Sequence, residues 1–171
     1  MFTTIFLIIG AALTWAVYLY NRLVRDRNRV LAAWSDIDVQ LKRRHDLLPK
    51  LIEAVKQYAG YEKATLRAVL ELRNQARAAA QIAERGSIET RLGGQIQHLL
   101  VLAEAYPDLK ANQNYLDLQQ NITEVENHIQ YARRYYNGSV RNLNTRIDSF
   151  PDLLIARLFH YRHAEYFALE E

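Results

Sequence analysis

The pattern of apolar positions along the chain changes at residue 20. Residues 1–20 contain no charged side chain and are apolar on every helical face. Twenty helical residues span roughly 30 Å, about the thickness of the hydrocarbon core of a bilayer. Trp15, Tyr18 and Tyr20 lie near the end of this segment, and aromatic rings favour the membrane interface. Residues 1–20 are therefore predicted to form a single transmembrane anchor.

Two other interpretations of this segment fit less well. A cleaved signal peptide has basic residues before its apolar run and small residues after it. Here no Lys or Arg precedes the run, and the bulky residues Tyr18, Leu19 and Tyr20 end it. A buried core helix is disfavoured because the segment is apolar all round and lies at a terminus.

Basic residues follow the apolar segment immediately. They are Arg22, Arg25, Arg27 and Arg29, with Asp26 as the acidic residue among them. By the positive-inside rule this cluster remains in the cytoplasm, so the N-terminus faces outward and the following domain faces inward. Close to a membrane each such residue contributes about 1 kcal/mol toward anionic lipid. The sequence thus predicts anionic-lipid contact at Arg22–Arg29.

From residue 21 the apolar positions recur every three or four residues, as on one face of a helix. The stripe continues past Pro49 almost undisplaced, which predicts one long helix over 21–84. Pro49 lacks an N–H and crowds the carbonyl of His45, so we expect a kink there in preference to a reversal. Breaks at 85–87 and 93–94 predict a separate short helix over 95–105.

A second long stripe runs from Tyr115 to Ile147 and predicts a helix over 111–148, at a spacing close to that of a coiled coil. Asp108 or Asn112 is expected to cap it. Asn137-Gly138 resembles a hairpin turn, but no strand-like alternation flanks it, so we place it inside the helix. Ser149 is predicted to cap a last short helix over 151–161.

Each long stripe must be covered by another helix. The economical arrangement is an all-α fold in which the anchor runs into an antiparallel four-helix bundle over 21–171. Composition agrees, because 171 residues with 6 Gly and 3 Pro favour long helices. The balance of 22 basic and 19 acidic residues argues against a phosphate-binding surface as the main theme of the protein.

No group of residues indicates catalysis. Without cysteine there is no thiolate nucleophile or thiolate metal site. Glu124 and His128 are separated by four positions, and no Glu-x-x-His pair of the kind found in di-metal bundles occurs. Gly93-Gly94 lacks the strand and the Gly-Lys-Ser/Thr of a phosphate loop. We therefore expect no catalytic residue, no metal and no cofactor.

The remaining polar clusters have a structural interpretation. Lys42–Arg44 are interspersed with Asp36, Asp38 and Asp46, which predicts a salt-bridged helix face. His45 and His128 are interpreted as helix-face residues. Arg133-Arg134-Tyr135-Tyr136 has the composition of a nucleic-acid patch, but Tyr136 lies on the apolar stripe, so nucleic acid is not expected as a partner.

Several blocks of the sequence together match the pattern of a known family. They are Trp34–Pro49, Tyr58-Ala59, Glu62, Leu102–Tyr115, Glu124, Glu126-Asn127, Ala132–Asn137, Asn144-Thr145 and Ser149–Pro151. On these residues the sequence resembles the LemA family of bacterial membrane proteins over nearly its whole length. Long blocks in order make this resemblance highly specific, and departures from the usual pattern occur at Lys50, Tyr61 and Leu143.

The resemblance implies a single-pass protein of the bacterial inner membrane with its N-terminus outside and a cytoplasmic helical bundle. It brings no assigned activity and no agreed catalytic residues. Family members, and LemA-like domains among magnetosome membrane proteins, imply a structural or scaffolding role in the envelope. We expect a non-enzymatic scaffold that forms homo-oligomers in the lipid bilayer. The alternative is an adaptor that docks an envelope protein such as a protease or signalling kinase.

Overall fold

The computed structural model of the chain describes residues 2–58 and 63–167. Within these ranges the fold is all-α, as predicted, and no strand is present. The six helices of the described residues are α1 (Phe2–Tyr58), α2 (Lys63–Ala78), α3 (Ile82–Ala103), α4 (Pro107–Lys110), α5 (Gln113–Asp148) and α6 (Asp152–Leu158).

The predicted helix over 21–84 is divided in the structure. Helix α1 continues through Pro49 without reversal and ends at Tyr58. Arg73 of α2 donates from Nε to the backbone oxygen of His45 over 2.8 Å. Because only four residues separate α1 from α2, this contact requires α2 to run back along α1. Gly60 and Tyr61 lie outside the described residues.

The predicted breaks at the glycines are wrong, and so is the start of the short helix at residue 95. Helix α3 begins at Ile82 and contains Gly86, Gly93 and Gly94. Each glycine costs about 1 kcal/mol relative to Ala in a helix. Burial of a large apolar side chain contributes about 1.5–3 kcal/mol, and several lie buried along this helix. Packing therefore outweighs propensity here, and the apolar side chains concerned are Ile88, Leu92, Ile96, Leu99 and Leu100.

The predictions for the second long helix are confirmed to within two residues. Asn112 caps α5, since its Oδ1 accepts a hydrogen bond from the N–H of Tyr115 over 3.2 Å. Asn137-Gly138 lies inside the helix. Ser149 does not cap α6 through its side chain, which instead donates to the carbonyl of Thr145 over 2.6 Å. The final helix is shorter than the predicted span 151–161.

The chain divides into two compact units. In unit 1, residues up to Ser35 pack with Tyr135–Glu165. Its buried apolar residues come from α1, α5 and α6, and the rings of Trp34 and Tyr136 lie 5.7 Å apart. Leu143, a departure from the family pattern, is buried here rather than at the surface. The buried residues of this unit include Leu19, Leu23, Val30, Ala33, Tyr136, Val140, Leu143, Ile147 and Ala156.

Unit 2 comprises Asp36–Arg134 together with residues 166 and 167 of the described chain. Its apolar core is formed by α1, α2, α3, α4 and the first half of α5, and α2 packs against α3. The core residues include Leu48, Leu51, Ile52, Val55, Leu66, Val69, Leu92, Ile96, Leu99, Leu100, Leu109, Tyr115 and Ile122.

Candidate functional site

The N-terminal part of α1 presents an apolar surface to its surroundings. Between Phe2 and Tyr20 only Leu19 is buried, and Ala16 is half-buried. Phe2 is 75% exposed and Phe6 is 73% exposed. Helix α1 is long and apolar enough in this part to cross a membrane. The covering that these side chains lack within the chain is what a lipid bilayer supplies.

The predicted interface residues lie at the end of this surface and immediately after it. Trp15, Tyr18 and Tyr20 are exposed, and the Arg22 guanidinium lies 5.7 Å from the centre of the Tyr18 ring. Cation–π contacts of this kind hold a basic group beside an aromatic ring. Arg25, Arg27 and Arg29 are also exposed.

Asp26, which we noted only as an acidic residue among arginines, has a specific structural role. It is 4% exposed and pairs with Arg146 of α5 and, over 3.4 Å, with Arg29. Arg146 Nη1 also lies 3.5 Å from Asp152 Oδ1 of α6. Burial alone would lower the pKa of Arg146, but Asp26 and Asp152 raise it above its ordinary value. This cluster fixes α1, α5 and α6 to one another in unit 1.

A second ion cluster lies inside unit 2, and the sequence analysis missed it. Arg44 is 2% exposed and pairs with Glu89 of α3. Its Nη1 donates to both carboxylate oxygens of Glu126 over 2.9 Å, and its Nη2 donates to the backbone oxygen of Glu89 over 3.1 Å. His45 Nε2 lies 2.9 Å from Glu89 Oε1.

Burial and charge act in opposite directions on this cluster. Burial would lower the pKa of Arg44, yet Glu126 and Glu89 hold it above its ordinary value. Burial likewise would raise the pKa of Glu89, but the adjacent His45 imidazole and the charge of Arg44 lower it. The ion pair between Arg44 and Glu89 is therefore kept charged although both groups are buried.

A cavity of about 340 Å³ borders this cluster, and Arg133 and Phe167 also line it. A Cβ at Gly93 would lie 3.5 Å from Arg44 Nη1 and 3.5 Å from Glu126 Oε2. The ion pair thus passes directly beside the backbone of α3. Because Arg44 donates to two carboxylates and a carbonyl, its donors are directed at the protein itself.

The arrangement holds the helices of unit 2 together. Within residues 2–58 and 63–167 no group of three or more His, Asp or Glu side chains is placed to hold a metal ion. The His45–Glu89 pair has the chemistry of an acid–base pair, but His45 is 4% exposed and Glu89 is 2% exposed.

The predicted salt-bridged face of α1 is partly correct. Lys42 pairs with Asp38 over 2.7 Å at the surface, as expected. Asp38 also pairs with Arg85 over 2.9 Å. Arg44 and His45 are not on that face, because they project into unit 2. One signal for this was present: Gly86, Glu89 and Gly93 are spaced three and four apart, so a carboxylate shares one helical face with two small residues.

These features define an all-α protein with one N-terminal helix long and apolar enough to cross a membrane. The family model for LemA matches residues 33–171. Protein LemA of Metamycoplasma hominis is 30% identical over 155 residues, which is 87% of this chain and 69% of that protein. The chain belongs to the LemA family.

More distant similarity extends to magnetosome proteins. Magnetosome protein MamQ 2 of Paramagnetospirillum magneticum is 22% identical over 174 residues, which cover 86% of this chain and 64% of that protein. Magnetosome protein MamQ of Magnetospirillum gryphiswaldense is 21% identical over 183 residues, which cover 92% of this chain and 67% of that protein.

Proposed function

We propose that this LemA family protein is a non-enzymatic, single-span protein of the bacterial inner membrane that assembles with copies of itself as a structural scaffold. The exposed apolar surface of Phe2–Tyr20 carries the proposal. A surface of this size facing water would be strongly unfavourable, at about 25 cal/mol for each Å² of apolar area. Relatives that are named magnetosome proteins support a structural role in the envelope.

The arginines after the span support an orientation with the N-terminus outside. Arg22, Arg25, Arg27 and Arg29 follow the span within nine residues. Basic residues beside a span resist translocation, so the helical domain remains in the cytoplasm. The same arginines favour anionic lipids in the leaflet that they face.

The absence of cysteine from the sequence makes orientation directly measurable. Thr3→Cys places a thiol at the exposed start of α1, and Ser87→Cys places one on the exposed surface of α3. In intact spheroplasts a membrane-impermeant maleimide should label the first variant only, and both should react after lysis. Labelling of the α3 thiol in intact spheroplasts would contradict the proposed topology and indicate the opposite orientation.

Self-assembly is supported by exposed aromatic side chains outside the span. Tyr131 is 65% exposed and Tyr135 is 58% exposed, both on α5. Tyrosine is enriched at protein interfaces because it adds contact area at low entropic cost. Mass measurement in lipid nanodiscs at cellular protein density should give a multiple of the 19.9 kDa chain. A strictly monomeric species would contradict self-assembly while leaving the membrane span intact.

A second candidate function is that of an adaptor for another envelope protein, such as a protease or signalling kinase. The observation that favours it is the pairing of Arg134 with Tyr131, whose guanidinium carbon lies 4.9 Å from the ring centre. Tyrosine and arginine, like tryptophan, are enriched among the residues that contribute most of the binding energy at interfaces. Purification in gentle detergent distinguishes the adaptor from the scaffold. An unrelated protein that co-purifies at fixed stoichiometry with the wild type, and is lost in Tyr131→Ala, would favour the adaptor.

A further inference from the structure

A cleft in unit 1 lies beside the last aromatic residue of the apolar segment. It has a volume of about 420 Å³ and is lined by parts of α1 and α5 and by the chain that follows α6. Tyr20 and Phe159 stand at one edge, with ring centres 4.7 Å apart. Small-ligand sites commonly have volumes of about 300–1,000 Å³. The cleft is therefore large enough for a small polar group.

The charged side chains that line the cleft are all basic. Arg27 and Arg162 line it, and no lining residue is acidic. Among the residues that the structure describes, neither arginine has a carboxylate oxygen within salt-bridge distance. The Asp26 cluster on another side of α1 contrasts with this, because its arginines are neutralised by Asp26 and Asp152. A basic cleft without an acidic partner is suited to an anion, and arginine binds phosphate oxygens in a bidentate manner.

The chain after α6 is folded specifically to form this wall. The N–H of Tyr161 donates to the carbonyl of Ala156 over 2.9 Å, which is the closing bond of a Schellman motif. His160 has a φ of 54°, in the left-handed region where glycine is usual. This reversal places Tyr161 and Arg162 against the cleft. Asn144 holds the same segment through two hydrogen bonds to Ala164, of 3.0 and 2.9 Å.

Helix α6, which immediately precedes the cleft wall, has an exposed apolar rim. Leu154 and Leu158 lie four positions apart on α6, so they share one face, and they are 59% and 68% exposed. Asp152 and Ala156 form the buried face of the same helix. An amphipathic element with exposed Leu and Phe beside basic residues is typical of a segment that lies in the membrane interface.

The position of this rim relative to the span agrees with such a location. Phe159 contacts Tyr20, at the end of the apolar segment. At 1.5 Å for each helical residue, Arg27 lies about 10 Å further along α1 than Tyr20. The interfacial region on each side of a bilayer is about 5–8 Å thick. The Arg27 backbone thus lies just beyond this region. Because helical side chains point back toward the N-terminus, the long Arg27 side chain can bring its guanidinium to the level of the lipid phosphates.

From these observations we infer that the cleft between Tyr20, Arg27, Phe159 and Arg162 binds the phosphate of an anionic phospholipid headgroup, while the α6 rim lies in the membrane interface. The inference rests on the proposed membrane span and adds a defined lipid site to it. It assigns α6 to a second membrane contact of the chain.

The lipid preference of this site can be measured on the full chain. The protein is reconstituted in nanodiscs that contain equal amounts of phosphatidylcholine and phosphatidylglycerol. Native mass spectrometry then identifies the lipids that remain bound to the protein. The wild type should retain phosphatidylglycerol preferentially, and R27Q/R162Q should lose that preference several-fold. R67Q/R77Q, which removes the same charge from exposed positions of α2, is the matched control. Equal preference in all three proteins would overturn the site.

The source of the phosphate is tested in detergent that contains no phospholipid. Inorganic phosphate alone should bind weakly and give no saturable change at millimolar concentration. Saturable binding of inorganic phosphate that requires Arg27 and Arg162, without phosphatidylglycerol preference in nanodiscs, would replace the lipid with a free anion and overturn the inference.

Nitroxide labels at single cysteines separate this inference from the proposed span. A label at Leu158→Cys should be accessible to oxygen and shielded from a water-soluble nickel chelate, whereas one at Arg157→Cys should contact the chelate. Exposure of the Leu158 label to the chelate overturns the α6 contact. Shielding from both reagents would indicate a second protein copy and also overturns it. A label at Leu7→Cys reports on the span alone, so the failure of either proposal is recognised independently.

Discussion

Two clusters of the same chemical type occur in different surroundings in this chain. The side chain of Arg44 is 2% exposed and faces Glu89 and Glu126, whereas that of Arg146 is 22% exposed and faces Asp26 and Asp152. Both hold helices that are distant in sequence. Removing one partner of a buried ion pair leaves an uncompensated charge in low dielectric, while a partly exposed survivor is solvated by water. The comparison indicates that unit 2 depends more strongly on its cluster than unit 1 does.

The largest expected effect is that of Arg44→Met. It leaves Glu89 and Glu126 without their common partner, and we expect a loss of about 3–5 kcal/mol of unfolding free energy. Denaturant unfolding followed by circular dichroism in detergent measures it. Lys42→Met, which removes a surface partner of Asp38, should cost less than about 1 kcal/mol.

The dependence of this effect on pH sharpens the prediction. The pKa of Glu89 is lowered in the folded chain, so its contribution is present above the unfolded pKa and is lost as pH falls through the folded value. The difference between wild type and Arg44→Met should therefore narrow below about pH 4. A difference that is unchanged in acid, or a loss under about 1 kcal/mol at neutral pH, would contradict the role of this cluster.

Unit 1 should instead be sensitive to alkali. The Tyr136 hydroxyl donates to the carbonyl of Glu165 over 2.8 Å, and burial, followed by the charge of Glu165, raises the pKa of Tyr136 to about 12. The neutral phenol is favoured by folding, so this contribution is complete below about pH 10 and is lost as pH rises toward 12. The loss should approach about 3 kcal/mol.

Tyr136→Phe separates the contribution of the Tyr136 hydroxyl to stability from that of the other tyrosines. The variant should be less stable than wild type at neutral pH by about 1 kcal/mol, because it lacks one hydrogen bond. Its stability should decline less steeply between pH 10 and 12. Parallel curves for the two proteins would show that Tyr136 does not titrate differently in the folded state.

A smaller loss is expected for Asp26→Asn. Arg146 keeps Asp152 as a partner and is partly exposed, so we expect a cost of about 1–2 kcal/mol. Asp148→Asn provides a control, because Asp148 pairs with His163 at the surface over 3.0 Å. A cost for Asp26→Asn equal to that of Arg44→Met would remove the distinction between the two clusters.

The smallest effect is a gain of stability. His160 occupies the left-handed region after α6, where glycine carries no steric penalty. We expect His160→Gly to stabilise the chain by about 0.5 kcal/mol, since relief of strain exceeds the added entropy of the unfolded chain. Thermal unfolding in detergent detects it. Destabilisation would show that the imidazole contributes contacts that outweigh the strain.

Local sequence was sufficient for the features that depend on near neighbours. The apolar segment, the stripe of α5 and the Asn112 cap were predicted because periodicity and capping act within a few residues. The helix ends inside unit 2 were not predicted correctly. The glycines of α3 have weak helix propensity, and only the core that forms around Leu92 and Leu99 makes helix the favoured state there.

The amino-acid sequence by itself determined that the chain is helical, that its first twenty residues are apolar on all sides, and that it belongs to its family. Tertiary structure decided which charged side chains form buried ion pairs and with which partners. Periodicity places Arg44 on the apolar stripe, three residues after Leu41 and four before Leu48. Nothing near it in sequence identifies its partners, because Glu89 and Glu126 are 45 and 82 positions away. The same holds for Asp26 and Arg146, which are 120 positions apart. An ion pair depends on distance and burial, and both are set only when the helices pack.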